Sequence, residues 1–145
     1  MPKQIPTKSV YRIIDANINR AKEGLRVLEE VGRFLLDSPA LTAGFKKMRH
    51  ELDKAVAGLP LVLSDLWIER DSASDVGKDI TVNELKRKGT RDVFIANMQR
   101  VKESARVLEE FSKLLNVKSA VRFKNIRYRL YEIEKSSGRF LHKLS

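Results

Sequence analysis

Two asparagines, a set of arginines and one acidic loop carry most of the chemistry this sequence could perform. Asn17, Arg20, Glu23 and Arg26 follow one another at spacings of three, and the same types return as Asn97, Arg100, Glu103 and Arg106. A later stretch of each half adds Arg49 and Arg127. An arginine cluster is suited to neutralising phosphate or carboxylate, because the guanidinium presents a planar fork of donors. The run Glu69 to Asp79 places Asp71, Asp75 and Asp79 around Gly77 and Lys78. Its carboxylates are oxygen ligands of the kind Mg²⁺ prefers. Gly77 would let backbone approach a phosphate that Lys78 could neutralise, although a solvated acidic loop is an equal reading of the same residues.

The elements that must position these groups come from a duplication. Ala16 to Glu30 (ANINRAKEGLRVLEE) aligns with Ala96 to Glu110 (ANMQRVKESARVLEE) at a constant offset of 80, ten of fifteen positions being identical. Phe45-Lys46-Lys47-Met48-Arg49-His50 then matches Phe123-Lys124-Asn125-Ile126-Arg127-Tyr128 at an offset of 78. The two-residue change falls in the connection, where solvated backbone is cheap to extend. Each unit therefore reads as helix, turn, helix.

Helix one is expected over roughly Ser9 to Leu36. Ser38 should cap helix two, with Pro39 in its first turn, and Gly58 and Pro60 should end it. Thr90 is expected to cap helix three, and helix four to run from about Lys118 to His142 with fraying near Gly138. Leu59 to Ile68 reads as either a short helix or a buried extended segment. Thr81-Val82-Asn83-Glu84 has capping-box spacing and should open a short helix that Gly89 closes.

The expected architecture is an all-α four-helix bundle from a duplicated hairpin, with pseudo-twofold symmetry and an elaborate crossover. One domain spans residues 1–145: hairpin copy one at about 9–58, the crossover at about 59–89, hairpin copy two at about 90–143. At 100° per residue, Ile14, Ile18, Ala21, Leu25, Leu28 and Leu35 form a core stripe in helix one. Met98, Val101, Ala105, Leu108 and Leu115 form its counterpart in helix three.

Asn17 and Asn97 project within these stripes, where an amide without hydrogen-bond partners costs about 1–3 kcal/mol. They either pair with each other or with backbone near the twofold axis, or line an internal pocket that reads a polar ligand. Arg20 and Arg100 beside them favour the ligand, since a buried guanidinium wants an anion. Glu23, Arg26 and Glu30, with Glu103, Arg106 and Glu110, read as ladders of surface ion pairs. Glu29 and Glu109 are expected to join those ladders. Arg49 and Arg127 would bring two further cations to the axis, and Tyr128 and Tyr131 are expected in the core, with a stacking face as the alternative.

Composition narrows the classes. The chain has 145 residues and no cysteine, which removes disulfides, thiolate metal sites and Cys nucleophiles. Two histidines are too few for a His-rich metal site. The first residues lack a leader-like apolar region and no apolar run approaches the ~20 residues that span a bilayer, so a cytoplasmic protein with no membrane association is expected. The formal net charge of +10 favours an anionic partner such as nucleic acid, acidic lipid or a phosphorylated small molecule, or it marks only a basic soluble surface. No P-loop, HExxH or GxSxG pattern occurs.

Three strings carry a family resemblance: Arg12-Ile13-Ile14-Asp15-Ala16-Asn17 through Val27-Leu28-Glu29-Glu30, Arg70-Asp71 through Asp75-Val76-Gly77, and Ala96-Asn97 through Glu109-Glu110. With Arg127-Tyr128-Arg129-Leu130-Tyr131, they resemble the helical hydroxymethylpyrimidine-phosphate kinase of the second, non-ribokinase type, often fused ahead of bacterial thiamine-phosphate synthase. The resemblance covers nearly the whole chain.

It implies ATP and Mg²⁺ as cofactors and transfer of a phosphoryl group onto the aminopyrimidine monophosphate. The acceptor is an ionised phosphate oxygen, so positioning and charge neutralisation suffice. An Asn amide matches the amine and ring nitrogen of an aminopyrimidine as it does adenine, so one of Asn17 and Asn97 would bind the pyrimidine and the other the nucleotide base. The site implied comprises Asp71, Asp75, Arg100 and Arg106 as catalytic candidates, with Asp71 and Asp75 also holding the metal. Asn17, Arg20, Glu23, Arg26, Arg49, Gly77, Lys78, Asn97, Glu103 and Arg127 are the binding candidates.

No counterpart of the synthase barrel is present, so joining pyrimidine to thiazole is not expected, and a separate thiamine-phosphate synthase is the implied partner. A non-catalytic helical accessory domain and a basic nucleic-acid-binding module are the competing readings. The second is weakened by the alternation of Arg with Glu. The sequence leaves the oligomeric state open and admits a homo-oligomer.

Overall fold

A computed structural model describes residues 7–79 and 85–145. Helix α1 (Thr7–Glu30) carries its apolar residues every three or four positions and ends in a π-helical turn, Val31–Leu35. Helix α2 (Pro39–Ala57) starts where the Ser38 side chain accepts a hydrogen bond from Leu41 N at 3.2 Å, with Pro39 in the first turn. The short α3 (Leu63–Ile68) opens the crossover. Helices α4 (Thr90–Ser112) and α5 (Val117–Ser137) complete the second copy, and a 3₁₀ segment, Gly138–Lys143, follows. Asn116 caps α5 by accepting from Ser119 N at 3.0 Å.

The four long helices form an all-α bundle in which α1 packs on α2 and α4, and α5 packs on α2 and α4. One hydrophobic core draws on α1 to α5. Phe45 and Phe123, matched residues of α2 and α5, are both fully buried; each such side chain contributes about 2–3 kcal/mol by leaving water. Gly24 marks the seam between the copies. A Cβ there would sit 2.6 Å from Val101 Cγ2 and 3.5 Å from the Asn97 carbonyl oxygen, so α1 and α4 meet at a level only a side chain without Cβ allows.

Two sequence expectations change, and two others take definite form. Leu35 is 48% exposed while Leu36 is buried: the wider π turn, closed by Leu36 N donating to Val31 O at 3.0 Å, delays the helical phase by one residue. That turn takes up length the first copy carries beyond the second. Gly89, not Thr90, caps α4; the Thr90 hydroxyl instead lies 3.0 Å from Ser145 Oγ and accepts from Ser145 N. Of the two readings of Leu59 to Ile68, the short helix holds over α3, where Leu63, Trp67 and Ile68 face solvent with the preceding Val62 while Leu66 is buried. Helix four spans the expected range, and its fraying near Gly138 takes the form of a tightening to 3₁₀ after Ser137. The short helix expected at Thr81 to Glu84 lies outside the described residues.

Candidate functional site

Asp15 lies in the buried stripe of α1 beside Ile14 and is only 6% exposed. A carboxylate there needs a partner, because desolvating an unpaired charge is costly. Arg70, just after α3, supplies it: Nε and Nη2 donate to the two carboxylate oxygens at 2.7 Å each. The bond and charge of Asp15 hold the Arg70 guanidinium above its ordinary value, against the opposing effect of burial. This bidentate clamp fixes the start of the crossover loop over the outer face of α1.

Between them lies a cleft of about 420 Å³. Helix α1 lines it with Arg12, Asn17 and Arg20, and the loop with Arg70, Asp71 and Asp75. Arg12 and Arg20 form no ion pair among the described residues. Asn17 is buried and donates through Nδ2 to Ile13 O at 2.9 Å. Its Oδ1 accepts no hydrogen bond among the described residues.

The loop organises itself. Asp71 Oδ1 accepts from Ser74 N at 3.1 Å, Asp75 Oδ1 accepts from Gly77 N at 2.8 Å, and Lys78 Nζ donates to Ala73 O at 2.7 Å. Lys78 is thus turned onto its own loop, and the Gly77 amide is already used by Asp75. Neither lines the cleft. No cluster of three or more His, Asp or Glu side chains forms among the described residues.

The second copy repeats the internal bond but not the cleft. Asn97 Nδ2 donates to Val93 O at 2.8 Å, so each amide satisfies itself on its own helix and the two do not pair. The Gly24 contact places Asn97 level with Gly24, and at 1.5 Å per residue Asn17 lies about 10 Å further along α1. Arg20 and Arg100 are both exposed, not buried guanidinia as their flanking positions had suggested.

Both copies share a buried carboxylate clamp. Glu29 accepts from Arg49 Nε at 2.9 Å and lies 3.5 Å from Arg26. Glu109 accepts from Arg127 Nε at 3.2 Å and from Arg106 Nη1 at 2.8 Å. At 7% and 3% exposure, Glu29 and Glu109 are not surface ladder members: they follow Leu28 and Leu108 on the buried edge of the stripe, where only a partnered acid is tolerated. The ladder survives at Glu30 and Glu110, about half exposed, whereas Glu23 and Glu103 are exposed and make no ion pair among the described residues. Arg49 and Arg127 therefore hold Glu29 and Glu109 and do not converge as free cations.

Tyr128 and Tyr131 also depart from expectation, being 54% and 39% exposed. They meet edge to face with ring centroids 5.6 Å apart. The Arg127 guanidinium lies 5.3 Å from the Tyr128 centroid, and its Nη1 donates to the Tyr131 hydroxyl at 2.9 Å. That bond and the bond to Glu109 hold Arg127 above its ordinary value. A shallow groove of about 350 Å³ runs beside them, lined by Gln99, Lys102, Glu103, Arg106, Arg127 and Tyr131.

Of the expected site residues, Asn17, Arg20, Asp71 and Asp75 come together, and Glu103, Arg106 and Arg127 gather in the copy-two groove. Asp15, Arg12 and Arg70 were missed as walls of the cleft. The available signal was divergence between the copies: Asp15 aligns with Ile95 and Arg12 with Asp92.

An all-helical bundle with one polar cleft under an asymmetric crossover defines the class. Residues 12–136 match the ThiD2 family, and the chain belongs to it. It is 40% identical over 137 residues to a thiamine-phosphate synthase of Nostoc punctiforme, covering 93% of this chain and 37% of that protein. A thiamine-phosphate synthase of Synechocystis sp. is 40% identical over 135 residues, covering 92% and 37%. One of Rhodopirellula baltica is 40% identical over 126 residues, covering 86% and 33%. The chain thus spans about a third of the length of these relatives. No solved structure matches it significantly. No helix among the described residues is long and apolar enough to cross a membrane.

Proposed function

We propose that the chain acts in thiamine biosynthesis as a kinase, moving the γ-phosphoryl group of ATP onto hydroxymethylpyrimidine monophosphate. The bond from the γ-phosphorus to the ADP oxygen breaks, a bond to an acceptor phosphate oxygen forms, and ADP and the pyrimidine diphosphate leave. The observation that carries the reading is the cleft under the crossover, where one buried amide, two arginines that make no ion pair among the described residues and two loop carboxylates line one space. The acceptor oxygen is mostly ionised at neutral pH, its second pKa being about 6, so no general base is needed.

In this reading Asn17 Oδ1 accepts from the exocyclic amine of the pyrimidine, and Arg12 and Arg20 receive its phosphate. Asp71 and Asp75 each keep one carboxylate oxygen outside the loop's own hydrogen bonds, a hard oxygen pair that fits Mg²⁺, which takes few protein ligands and keeps water and phosphate oxygens. When bound, the cation supplies charge neutralisation on the phosphates. The Arg70 clamp on Asp15 keeps those loop groups over α1.

The test is direct. Protein, ATP, Mg²⁺ and the pyrimidine monophosphate should give ADP and the pyrimidine diphosphate, with Asn17→Ala at least tenfold slower and Asn97→Ala close to wild type. Folded protein that forms no diphosphate would remove the kinase reading. A second reading, an accessory domain acting with a thiamine-phosphate synthase, is favoured by the relatives' names, since the chain matches about a third of each of those synthases. Binding of the pyrimidine monophosphate without turnover would select it.

A further inference from the structure

The two copies diverge most pointedly between their paired helices. In copy one, Lys22 of α1 and Asp53 of α2 join at 3.0 Å, and an ion pair spans the α1–α2 groove. In copy two, the counterpart of Asp53 is Tyr131 and that of His50 is Tyr128. Lys102 turns to Glu134 instead, at 2.7 Å, so the ion pair across α4 and α5 moves about one turn along α5, and Tyr131 becomes a wall of the groove beside it.

Two neighbouring tyrosines this exposed leave ring surface in water, which folding alone does not favour. Their orientation is fixed nonetheless. The buried Glu109 holds Arg127 by two nitrogens, and Arg127, which lines the groove, holds the Tyr131 hydroxyl. The groove therefore has a pre-set cation beside a pre-set ring. Arg106 and Lys102 line one side beside the exposed Glu103; Lys102 is held by Glu134, and Arg106, about half exposed, by Glu109 and Glu110, carboxylates that an incoming phosphate would replace. Gln99, exposed on α4, lines the same groove, and its amide can pair with the amine and ring nitrogen of a purine edge.

We infer that the α4–α5 groove is a purine-nucleotide site, with Tyr131 as the stacking wall, Tyr128 braced edge-on against it, Gln99 at the base edge and the half-exposed Arg106 toward the phosphates. The inference rests on the kinase reading for its choice of adenine nucleotide, but the site's chemistry stands without it: a planar ring, an edge with donor beside acceptor, and anionic oxygens. It divides the duplicated bundle into an acceptor half under the crossover and a donor half beside the tyrosines.

Calorimetric titration with Mg²⁺–ADP and, separately, with the pyrimidine monophosphate tests this on the intact chain. Tyr131→Ala is expected to weaken ADP binding about tenfold or more, the usual effect of losing a base-stacking ring, and to leave pyrimidine monophosphate binding unchanged. Tyr131→Phe should retain ADP binding, and melting curves report that each variant is folded. Unaltered ADP binding in folded Tyr131→Ala and Tyr128→Ala overturns the inference, as does loss of the pyrimidine monophosphate instead. If wild type binds ADP through Tyr131 but forms no diphosphate, the kinase reading falls and the nucleotide site stands. If diphosphate forms at the wild-type rate in Tyr131→Ala, the site falls and the kinase stands.

Discussion

Arg70 and Asp15, fifty-five residues apart in the chain, are joined by two hydrogen bonds of 2.7 Å. That pairing anchors the crossover loop to α1 and sets where Asp71 and Asp75 stand. Replacing Arg70 by Ala leaves a buried carboxylate without its partner and frees the loop. The expected outcome is a KM for the pyrimidine monophosphate raised about tenfold, with faster tryptic cleavage after Lys78. Unchanged KM and cleavage would show that the clamp does not hold the cleft.

The two buried carboxylate clamps should differ in strength. Arg127 is 13% exposed and Arg49 is 22% exposed, so losing Glu109 strands the better-buried guanidinium. Glu109→Ala should cost about 2–4 kcal/mol and Glu29→Ala about 1–2 kcal/mol in denaturant unfolding. The clamps sit on different helix pairs, Glu29–Arg49 across α1 and α2 and Glu109–Arg127 across α4 and α5, and share no partner, so the double variant should sum the singles to within about 0.5 kcal/mol. Equal costs, or strong coupling, would contradict this ordering.

Gly24 tests the seam. Alanine there gains about 1 kcal/mol of helix propensity, but its Cβ would meet Val101 Cγ2 at 2.6 Å, and Val101 is fully buried with a stiff β-branched side chain. Overpacking of about 1–3 kcal/mol should dominate, so Gly24→Ala is expected to lower the melting temperature. Gly24→Ala with Val101→Ala should lose the clash; a single variant more stable than wild type would refute the close approach.

The exposed ladder gives a pH signature. Lys113 donates to Glu110 at 2.8 Å and holds its carboxyl below the ordinary value, aided by the charges of Lys113, Arg106 and Arg127 and opposed by burial. A lowered folded value means the stabilising effect is full above the ordinary glutamate value of about 4.3 and lost as pH falls through the lowered one. Lys113→Ala should move the Glu110 carboxyl upward in an NMR titration. No upward movement would show that the Lys113 bond is not formed in solution.

The bundle was legible because its determinants are local and repeated. The apolar period in Ile14, Ile18, Ala21, Leu25 and Leu28, the cap at Ser38 and Pro39, and the doubled strings each point to the same hairpin. The phase slip at Val31–Leu35 was not legible, since a π turn leaves no mark in an apolar period already near its end. Burial of Glu29 and Glu109 was hidden because an acid flanked by arginines at three and four positions reads equally as a surface ladder. What separates the two is Arg49 and Arg127 arriving from another helix. The cleft was half visible: Asn17, Arg20, Asp71 and Asp75 were singled out for their types. Asp15 was not, since its partner Arg70 lies in a different element and one-dimensional spacing does not report that contact.

The seam at Gly24 and Val101 has one more consequence. The helices that meet there, α1 and α4, are repeat-mates packed on each other, which is the arrangement of an isologous dimer interface enclosed in one polypeptide. A free hairpin would meet its twin at a rate and extent set by concentration. The crossover turns that encounter into an intramolecular one, with the partner always present at high effective concentration. Tethering also removes the demand that both halves stay identical, and the single acidic loop and the single tyrosine pair are differences that a true homodimer, bound to its symmetry, could not keep on one side alone.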